Sequence, residues 1–370
     1  MKKLSGIIIF FVVVSLITIG IIFYARGYRP DFENGSIKST GVVSIHSKPD
    51  NATVYVDGEE KGVTNVDITN LKPGEYEIKI VKEGFSFWEK TVEVKKENVI
   101  LITALLFPTA PSLRALTFTG VINPLASTNG KLIVFSVRGD VEKSGIWALS
   151  TASGTLPSFF ARDLTRLAAD SEEITFSRGS YEFSPDGSEL LVKLPQSDRY
   201  FLLSTTGKND SPKEVTLDVA KIKIGWDDQK IKENETILKT LGDKAQFLAD
   251  TLTNIQFSPD KTKFVGLKNN GAAFLYNSDP GPAPNQEPEI YNLPKGLDYL
   301  WYPDSEHVII VETNSISIVD ADGKNNVVVY TGDFDPDFVT PWSDGTRIVV
   351  STNLNSTINK LANLYAVELF

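Results

Sequence analysis

The sequence predicts a mainly β protein in which an N-terminal transmembrane helix precedes a small β-sandwich and then a β-propeller. Three observations support this fold class: an apolar leader within residues 1–25, alternating strands over residues 41–107, and a recurring turn motif over residues 108–370. The polar residues 26–40 between leader and strands are interpreted as a linker.

Composition limits the functions that the chain can have. With 370 residues, 41% hydrophobic and 23% charged, it has enough apolar surface for two or three packed domains. A formal net charge of −10 disfavours electrostatic binding of nucleic acid, so no nucleic-acid partner is predicted. The lack of cysteine excludes disulfides, thiolate metal sites and cysteine nucleophiles. The two histidines, His46 and His307, are too far apart in sequence to suggest a His-rich metal site.

The leader has the length and polarity of a membrane anchor. Residues 4–25 are uncharged and follow Lys2 and Lys3. As a helix they would span about 33 Å, close to the roughly 30 Å of a bilayer core, so we predict that they contact the lipid bilayer. A cleaved signal peptide is the alternative, but its apolar core normally covers only about 7–15 residues. The lysine pair favours a single-pass, N-in protein with the bulk of the chain extracytoplasmic.

Alternating strands follow the linker. In Glu75–Ile80 every second residue is apolar, and Val92 and Val94 repeat the pattern. Asp57-Gly58 and Pro73-Gly74 provide turns between such segments. Short strands with one apolar face predict an antiparallel sandwich.

Several motifs of this segment occur in the order found in one known family. They are Ser47-Lys48-Pro49-Asp50-Asn51-Ala52, Val54-Tyr55-Val56-Asp57-Gly58, Pro73-Gly74-Glu75-Tyr76 and Glu83-Gly84-Phe85. Residues 41–107 therefore resemble a PEGA domain, although the family's Pro-Glu-Gly-Ala motif is here Pro-Asp-Asn-Ala. The resemblance implies a small immunoglobulin-like β-sandwich typical of extracytoplasmic prokaryotic proteins, and it does not imply an enzyme.

Phe85, Phe87 and Trp88 form the most conspicuous aromatic cluster of the chain. A stacking platform for sugar rings is one interpretation. Because a domain of this size needs large aromatic side chains to bury sufficient area, we instead expect at least two of the three to close the sandwich core. His46 is expected to be structural or on the surface.

The rest of the chain repeats a turn followed by an apolar strand. The turns are Ser184-Pro185-Asp186-Gly187, Ser258-Pro259-Asp260, Tyr302-Pro303-Asp304 and Ser343-Asp344-Gly345, with a degenerate first copy at Thr128-Asn129-Gly130. Second strands are expected at Ile146–Leu149, Tyr200–Leu203, Phe274–Tyr276, Ile316–Val319 and Leu364–Val367. The units resemble WD-like and TolB-like repeats, and the length favours six blades, with five or seven open. The longest gap either hides a blade at Gly225-Trp226-Asp227 or holds an amphipathic helix.

No catalytic, cofactor-binding or metal-ligating residue is assigned, and no cofactor is predicted. The recurring aspartate is interpreted as a turn residue whose side chain accepts backbone hydrogen bonds. Asp333–Asp337 has three alternating carboxylates, as a calcium loop does. However, Phe338 and Asp344 replace the glycine and glutamate that such a loop requires, so a solvated acidic loop is expected.

These features predict a membrane-anchored extracytoplasmic binding or scaffold protein of the prokaryotic cell envelope. Its propeller would recognise an envelope protein, a peptide or a glycan. The alternative is an envelope hydrolase or lyase that acts on glycans or peptides through paired carboxylates at the propeller channel. A calcium-dependent adhesin is a weaker third hypothesis.

Overall fold

A computed structural model of the chain contains two compact units, one ending at Thr109 and one beginning at Ala110. The residues that the structure describes are 2–25, 28–31, 36–139, 142–152, 164–195, 197–278, 287–354 and 361–370. Side chains are described for these residues except 2–9, 23–25, 28–31 and 36–39. Each unit is considered separately below.

The first unit begins with helix α1, which runs over Lys2–Ala25. Its described side chains extend from Phe10 to Ile22, and all of them are exposed. Over the described residues, no helix is both long and apolar enough to cross a membrane.

The predicted linker at residues 26–40 contains regular structure. Strand β1 (Tyr28–Asp31) pairs antiparallel with β2 (Ser36–Ser39). The polar composition suggests a tether, and the described parts of this segment form two short paired strands.

A β-sandwich of seven strands completes the first unit. One sheet has the order β6-β3-β9 and the other β5-β4-β7-β8. The strands are β3 (Gly41–Lys48), β4 (Thr53–Val56), β5 (Glu59–Val63), β6 (Val66–Leu71), β7 (Gly74–Val81), β8 (Trp88–Val94) and β9 (Val99–Leu105). The alternating residues of β3 and β7 place Val43, Ile45, Ile78 and Ile80 in the core, each fully buried.

The sequence predicts an antiparallel sandwich, and this prediction is wrong for one pair of strands. Strand β9 pairs parallel to β3, from Val42 opposite Val99 to Lys48 opposite Leu105. A parallel pair joins segments distant in the chain, so turn signals between neighbouring strands could not reveal it. β9 is also less buried than its apolar composition suggested, because Val99 and Leu101 are exposed while Ile102 and Ala104 face the core.

The second unit consists mainly of five four-stranded antiparallel sheets, which we call blades 1 to 5. Before them lies β10 (Leu113–Ala115). Blade 1 contains β11 (Ile122–Ala126), β12 (Leu132–Val137), β13 (Gly145–Ser150) and β14 (Leu164–Ala169). Blade 2 contains β15 (Ser180–Phe183), β16 (Glu189–Lys193), β17 (Tyr200–Ser204) and β18 (Lys213–Glu214). A 3-10 turn at Phe176–Arg178 separates these two blades.

Two helices follow blade 2: α2 (Val219–Leu241) and α3 (Asp243–Ala249). Blade 3 contains β19 (Thr253–Phe257), β20 (Lys263–Leu267), β21 (Ala273–Asn277) and β22 (Glu289–Asn292). Blade 4 contains β23 (Asp298–Trp301), β24 (His307–Val311), β25 (Ser315–Asp320) and β26 (Val327–Thr331). Blade 5 contains β27 (Val339–Pro341), β28 (Arg347–Thr352) and β29 (Asn363–Glu368), and β10 pairs with β29 as its fourth strand.

The blades close into a ring, which makes the unit a β-propeller. Buried side chains join blade 1 to blade 2, blade 3 to blade 4, and blade 5 to blade 1. The Tyr302 hydroxyl of blade 4 donates to the Gly345 carbonyl of blade 5. Because the first strand of the unit completes the last blade, the ring does not depend on hydrophobic packing alone to stay closed.

The preference for six blades was wrong: the described residues form five. The segment at Gly225-Trp226-Asp227, considered as a sixth blade, lies inside α2. The alternative of an amphipathic helix is therefore the correct one for this stretch. A tryptophan-aspartate pair has no intrinsic strand geometry, and the apolar residues Ile237, Ala245 and Ala249 follow the helical period and are buried.

Candidate functional site

Each blade has a first turn, the connection between its first two strands, and in all five a backbone amide donates to the side chain of the turn aspartate, which is replaced by Asn129 in blade 1. In blades 1 to 3 a serine hydroxyl donates to the same side chain. In blade 2, Ser184 Oγ donates to Asp186 Oδ1 at 2.6 Å, and the Ser188 amide donates to the same oxygen at 3.0 Å. Blade 3 repeats the scheme at Ser258 and Asp260, with distances of 2.5 and 3.0 Å. The recurring aspartate therefore holds its own turn, as the sequence had suggested.

Neighbouring first turns also bind each other around the ring. Thr128 Oγ1 of blade 1 donates to the Pro185 carbonyl of blade 2 at 2.8 Å. The Asp260 amide of blade 3 donates to Ser305 Oγ of blade 4 at 3.0 Å. Blade 5 contacts blade 1 through Ser343 Oγ, which donates to the carbonyl of Thr151. Together with the Tyr302–Gly345 hydrogen bond, these contacts link blades 3, 4, 5, 1 and 2 in a belt of turns at one end of the propeller, in which the link from blade 5 goes to Thr151 after β13.

Between blades 2 and 3 the helices join the belt. Lys223 of α2 pairs with Glu182 of blade 2, with Nζ 2.9 Å from Oε2. On the other side, Lys261 in the first turn of blade 3 pairs with Glu233 of α2 at 2.6 Å. α3 packs its buried face on Phe264 and Tyr276 of blade 3. The helical pair is therefore held by both blades.

A groove of about 560 Å³ lies between α2 and blade 3. We call it the recognition groove. From α2 it is lined by Lys232, Glu233, Thr236, Ile237, Thr240 and Leu241, and from blade 3 by Asp260, Lys261, Thr262 and Ser278. It is the place in the belt where a helix replaces a neighbouring blade.

The hydroxyl groups of the groove use their protons within the protein. Thr236 and Thr240 each donate to a carbonyl one helical turn earlier, at 2.7 and 3.0 Å. Ser278 Oγ donates to the Thr262 carbonyl at 2.6 Å, and Thr262 Oγ1 donates to Asp260 Oδ2 at 2.9 Å. Because a hydroxyl has one proton and two lone pairs, each of these oxygens can still accept a hydrogen bond from a ligand.

The groove is lined by acidic and basic side chains. Burial alone would raise the pKa of Asp260, but hydrogen bonds from Ser258 and Thr262 hold this pKa below its usual value. Glu233 and Lys261 form the ion pair already described. Lys232 adds a further positive charge to the lining. The groove therefore offers acceptors, a carboxylate and ammonium groups around the apolar side chains of Ile237 and Leu241.

A second polar cluster surrounds His307 in blade 4, where the sequence had suggested no site. Nδ1 of His307 lies 2.7 Å from Asp304 Oδ2, and Nε2 lies 3.3 Å from Asp320 Oδ1. Burial would lower the pKa of His307, but the hydrogen bonds and charges of the two carboxylates raise this pKa to about 9. The cluster is an ion pair inside a blade, and it joins the first turn to the end of β25.

A signal for this cluster was present in the sequence. The residue three positions after the turn aspartate is charged or titratable in four blades: Glu189, Lys263, His307 and Arg347. At least two of these side chains form ion pairs beyond their own turn, Lys263 with Glu306 and Arg347 with Glu368. The recurrence of a titratable residue at an otherwise apolar strand could have indicated buried ion pairs.

The aromatic cluster of the sandwich behaves largely as expected. Trp88 is buried and Phe85 packs against the core, whereas Phe87 is exposed, with the Lys79 ammonium 4.6 Å from its ring centroid. Two of the three aromatic side chains therefore close the core. His46 is half-buried, and its Nε2 lies 3.3 Å from the Ser44 hydroxyl.

Hydrogen bonds from backbone amides hold the acidic loop at residues 333–337. Asp335 accepts a hydrogen bond from the Asp337 amide at 3.1 Å, and its own amide donates to the Ser351 carbonyl. In the part of the chain that the structure describes, no group of three or more His, Asp or Glu residues is arranged to hold a metal ion.

Comparison with known protein families identifies the sandwich. Residues 40–109 match the PEGA domain family. The sandwich is a PEGA domain. This confirms the resemblance drawn from its motifs, and the PEGA domain begins and ends within two residues of the predicted 41–107.

Comparison with solved structures gives distant likenesses. The structure of putative TolB from Agrobacterium tumefaciens is 15% identical, with a TM-score of 0.24 over 68% of this chain and 74% of that chain. Oligogalacturonate lyase in complex with manganese is 11% identical, with a TM-score of 0.25 over 80% of this chain and 74% of that chain. At such TM-scores neither likeness supports a functional statement. No curated protein sequence matches the chain.

Proposed function

We propose that the chain is a membrane-anchored binding protein of the cell envelope whose propeller holds a partner in the recognition groove. The PEGA domain would act as a spacer or a contact to the envelope. The observation that carries the proposal is the groove itself, which lies where α2 takes the place of a blade in the belt of first turns. The PEGA match supports the envelope location.

The anchor is proposed to be α1. The uncharged residues 4–25 have the length of a bilayer core, and the described side chains of α1 are exposed. The lysine pair at residues 2 and 3 favours an N-in orientation. The PEGA domain and the propeller would then both be extracytoplasmic.

The chemistry of the groove favours a polar, extended peptide segment as the ligand. Such a segment presents backbone N–H groups. The hydroxyl oxygens of Thr236, Thr240 and Ser278 can accept hydrogen bonds from these groups. Acidic and basic side chains of a peptide would meet the ammonium of Lys232 and the carboxylate of Asp260 respectively. Ile237 and Leu241 supply an apolar contact between these polar groups.

Binding is proposed rather than catalysis because of the carboxyl groups. A glycosidase or lyase of the kind considered above needs a carboxyl group whose pKa is raised, so that it is a proton donor near neutral pH. Where the pKa of a described carboxyl group departs clearly from its ordinary value, it is lowered, as at Asp186, Asp260 and Asp304. These groups are anchors of turns and ion pairs.

Site-specific photo-cross-linking in the native host tests the function. A photoreactive phenylalanine analogue at Thr240 would point into the groove, and the same analogue at the adjacent exposed Lys239, which does not line the groove, is the matched control. We expect adducts with one envelope component at Thr240 but not at Lys239. Equal adducts at both positions, or none at Thr240, would refute binding in the groove.

A further inference from the structure

Strand β9 of the PEGA domain has one unpaired edge. It is the last strand in the order β6-β3-β9, so β3 is its one neighbour in the sheet. The Val42 amide donates to the Asn98 carbonyl, and the Leu106 amide donates to the Lys48 carbonyl. In the continuous register between these two bonds, the even-numbered residues of β9 bond to β3. The backbone N–H and C=O groups of the odd-numbered residues therefore point away from β3.

The accessible part of this edge consists of Val99, Leu101 and Thr103, and we call it the open edge. Within the described part of the chain, the outward backbone groups of these three residues take part in no hydrogen bond. Further along, the edge is closed, because the Ser86 amide donates to the Phe107 carbonyl at 2.7 Å. The three side chains of the open edge are exposed, Val99 by 56% and Leu101 by 64%.

The other three edge strands of the sandwich have features that discourage the addition of a further strand. β5, β6 and β8 contain exposed acidic residues, for example Glu60, Asp67 and Glu93, and the pairings of β5 and β6 shift register. β9 differs in both respects, because its seven residues are uncharged and its register against β3 is continuous. Proteins usually protect edge strands from pairing with other chains, so an unprotected edge indicates one that pairs in the assembled protein.

We propose that the open edge pairs with the open edge of a second copy of this chain, antiparallel about a two-fold axis at Leu101. Residues 99–103 read Val-Ile-Leu-Ile-Thr, and valine and threonine are both β-branched, so the segment has nearly the same shape in both directions. In this register Leu101 meets Leu101 of the second copy. Val99 meets Thr103, and Ile100 meets Ile102. Such near-symmetry about one residue is what a two-fold contact requires.

The direction of the side chains favours the antiparallel pair. To pair in parallel, the second copy would have to be turned about its strand axis, and its exposed side chains would then lie on the opposite face of the combined sheet. Leu101 would then have no partner on its own face. In the antiparallel pair the exposed side chains of both copies lie on one face, and about six backbone hydrogen bonds join the two three-stranded sheets.

No like charges face each other in this register. The charged residue nearest to the open edge in sequence is Glu97, which would lie opposite Leu105 of the second copy. A strand from another protein would need only alternate apolar residues, and the symmetry of residues 99–103 would have no role in its binding. The open edge belongs to the PEGA domain and the recognition groove to the propeller, so the dimer and the groove ligand can be tested separately.

The cysteine-free sequence allows a test by cross-linking of the full-length chain with a short bifunctional maleimide. Leu101→Cys should link to itself about fivefold faster or more than Val63→Cys, because facing residues of an antiparallel pair lie only about 5.5 Å apart. Val63 is the matched control, since it lies on the edge strand β5 and is 51% exposed. Val99→Cys and Thr103→Cys should link when mixed. Each alone should link much less, because like positions are about 14 Å apart along the strands.

Charge substitution at the axis provides a second readout that needs no cross-linker. Leu101→Lys and Leu101→Glu each place like charges opposite each other, so sedimentation of either variant alone should show loss of the dimer. An equimolar mixture should restore the dimer, because lysine then faces glutamate. Val63→Lys should leave the dimer unchanged. Since Leu101 and Val63 are both exposed, thermal unfolding should be the same for all the variants.

Three results would overturn the proposal. The first is linking of Leu101→Cys no faster than that of Val63→Cys. The second is a mixture of folded Leu101→Lys and Leu101→Glu that stays monomeric. The third is a cross-link in native membranes from Leu101→Cys to a different protein and none to a second copy, which would show that another strand occupies the open edge.

Discussion

Nζ of Lys263 lies 2.8 Å from Oε1 of Glu306, and this ion pair joins blade 3 to blade 4. The lysine side chain is only 5% exposed, while that of Glu306 is 62% exposed. The ammonium group is therefore largely desolvated and depends on a partner that water can still reach.

A double-mutant cycle should detect this ion pair. Because Glu306 is exposed, solvent screens part of the interaction, and we expect a coupling of about 1 kcal/mol between Lys263→Met and Glu306→Gln. The free energy of unfolding from denaturant titrations is the measurement. The exposed pair Lys193 and Asp198 is the control, and its coupling should be close to zero. Equal coupling in both cycles would contradict the role of burial.

The stability of the propeller should fall as the pH rises from about 6.5 to about 9. The pKa of His307 is raised to about 9 in the folded protein and is near 6.5 in the unfolded chain. The stabilisation is thus complete below pH 6.5 and is lost as the pH rises through 9, by at most about 3 kcal/mol. His307→Gln should be less stable at pH 6.5 and should show a flatter pH profile. Parallel profiles for the two proteins would contradict this explanation.

Ring closure should depend on the hydroxyl group of Thr117. This buried residue lies just after β10, and its Oγ1 accepts a hydrogen bond from the Leu364 amide of β29 at 2.9 Å and donates to Asn363 Oδ1 at 3.2 Å. Thr117→Val keeps the shape but leaves both groups without this partner, so we expect a loss of about 1–3 kcal/mol in thermal or denaturant unfolding.

Thr117→Ser is the matched control because it retains the hydroxyl and removes only a methyl group. It should cost clearly less than Thr117→Val. If the two variants were equally destabilised, packing of the methyl group rather than the hydrogen bonds would hold the ends of the propeller together.

The aromatic side chains of the PEGA domain should differ sharply in their effect on stability. Trp88 is 5% exposed, and Trp88→Ala leaves a large cavity in the core, so we expect a loss of about 3–5 kcal/mol. Phe87 is 56% exposed, and Phe87→Ala should cost less than about 1 kcal/mol. Unfolding of the PEGA domain followed by near-ultraviolet circular dichroism distinguishes them. A large loss for Phe87→Ala would show that this ring has a packing role that its exposure does not reveal.

Much of the blade structure could be predicted because its signals are local. The aspartate of the first turn, or Asn129 in blade 1, lies within a few residues of the apolar strand after it, and the second strands follow at hairpin distance. Ile316–Val319, for example, falls inside β25 as expected. Local patterns of turn and alternation carry this information without any knowledge of the tertiary structure.

Contacts between distant segments could not be predicted in this way. The pairing of β10 with β29, the parallel pairing of β9 with β3, and the contact of His307 with Asp320 each join separate parts of the chain. The recognition groove also arises only when α2 packs beside blade 3. Nothing in the sequence of either element marks it, since its lining residues are ordinary surface residues of a helix and a turn.

The topology of the chain in its native membrane tests the central claim most directly. Single-cysteine variants can be labelled in intact protoplasts with a membrane-impermeant maleimide, because the chain has no cysteine of its own. We expect Phe118→Cys, 79% exposed in the propeller unit, to react in intact protoplasts, and Lys2→Cys to react only after lysis. Two outcomes would contradict an anchored extracytoplasmic binding protein. One is that Lys2→Cys reacts in intact protoplasts while Phe118→Cys does not. The other is that neither variant reacts before lysis and the chain is recovered as a soluble cytosolic protein.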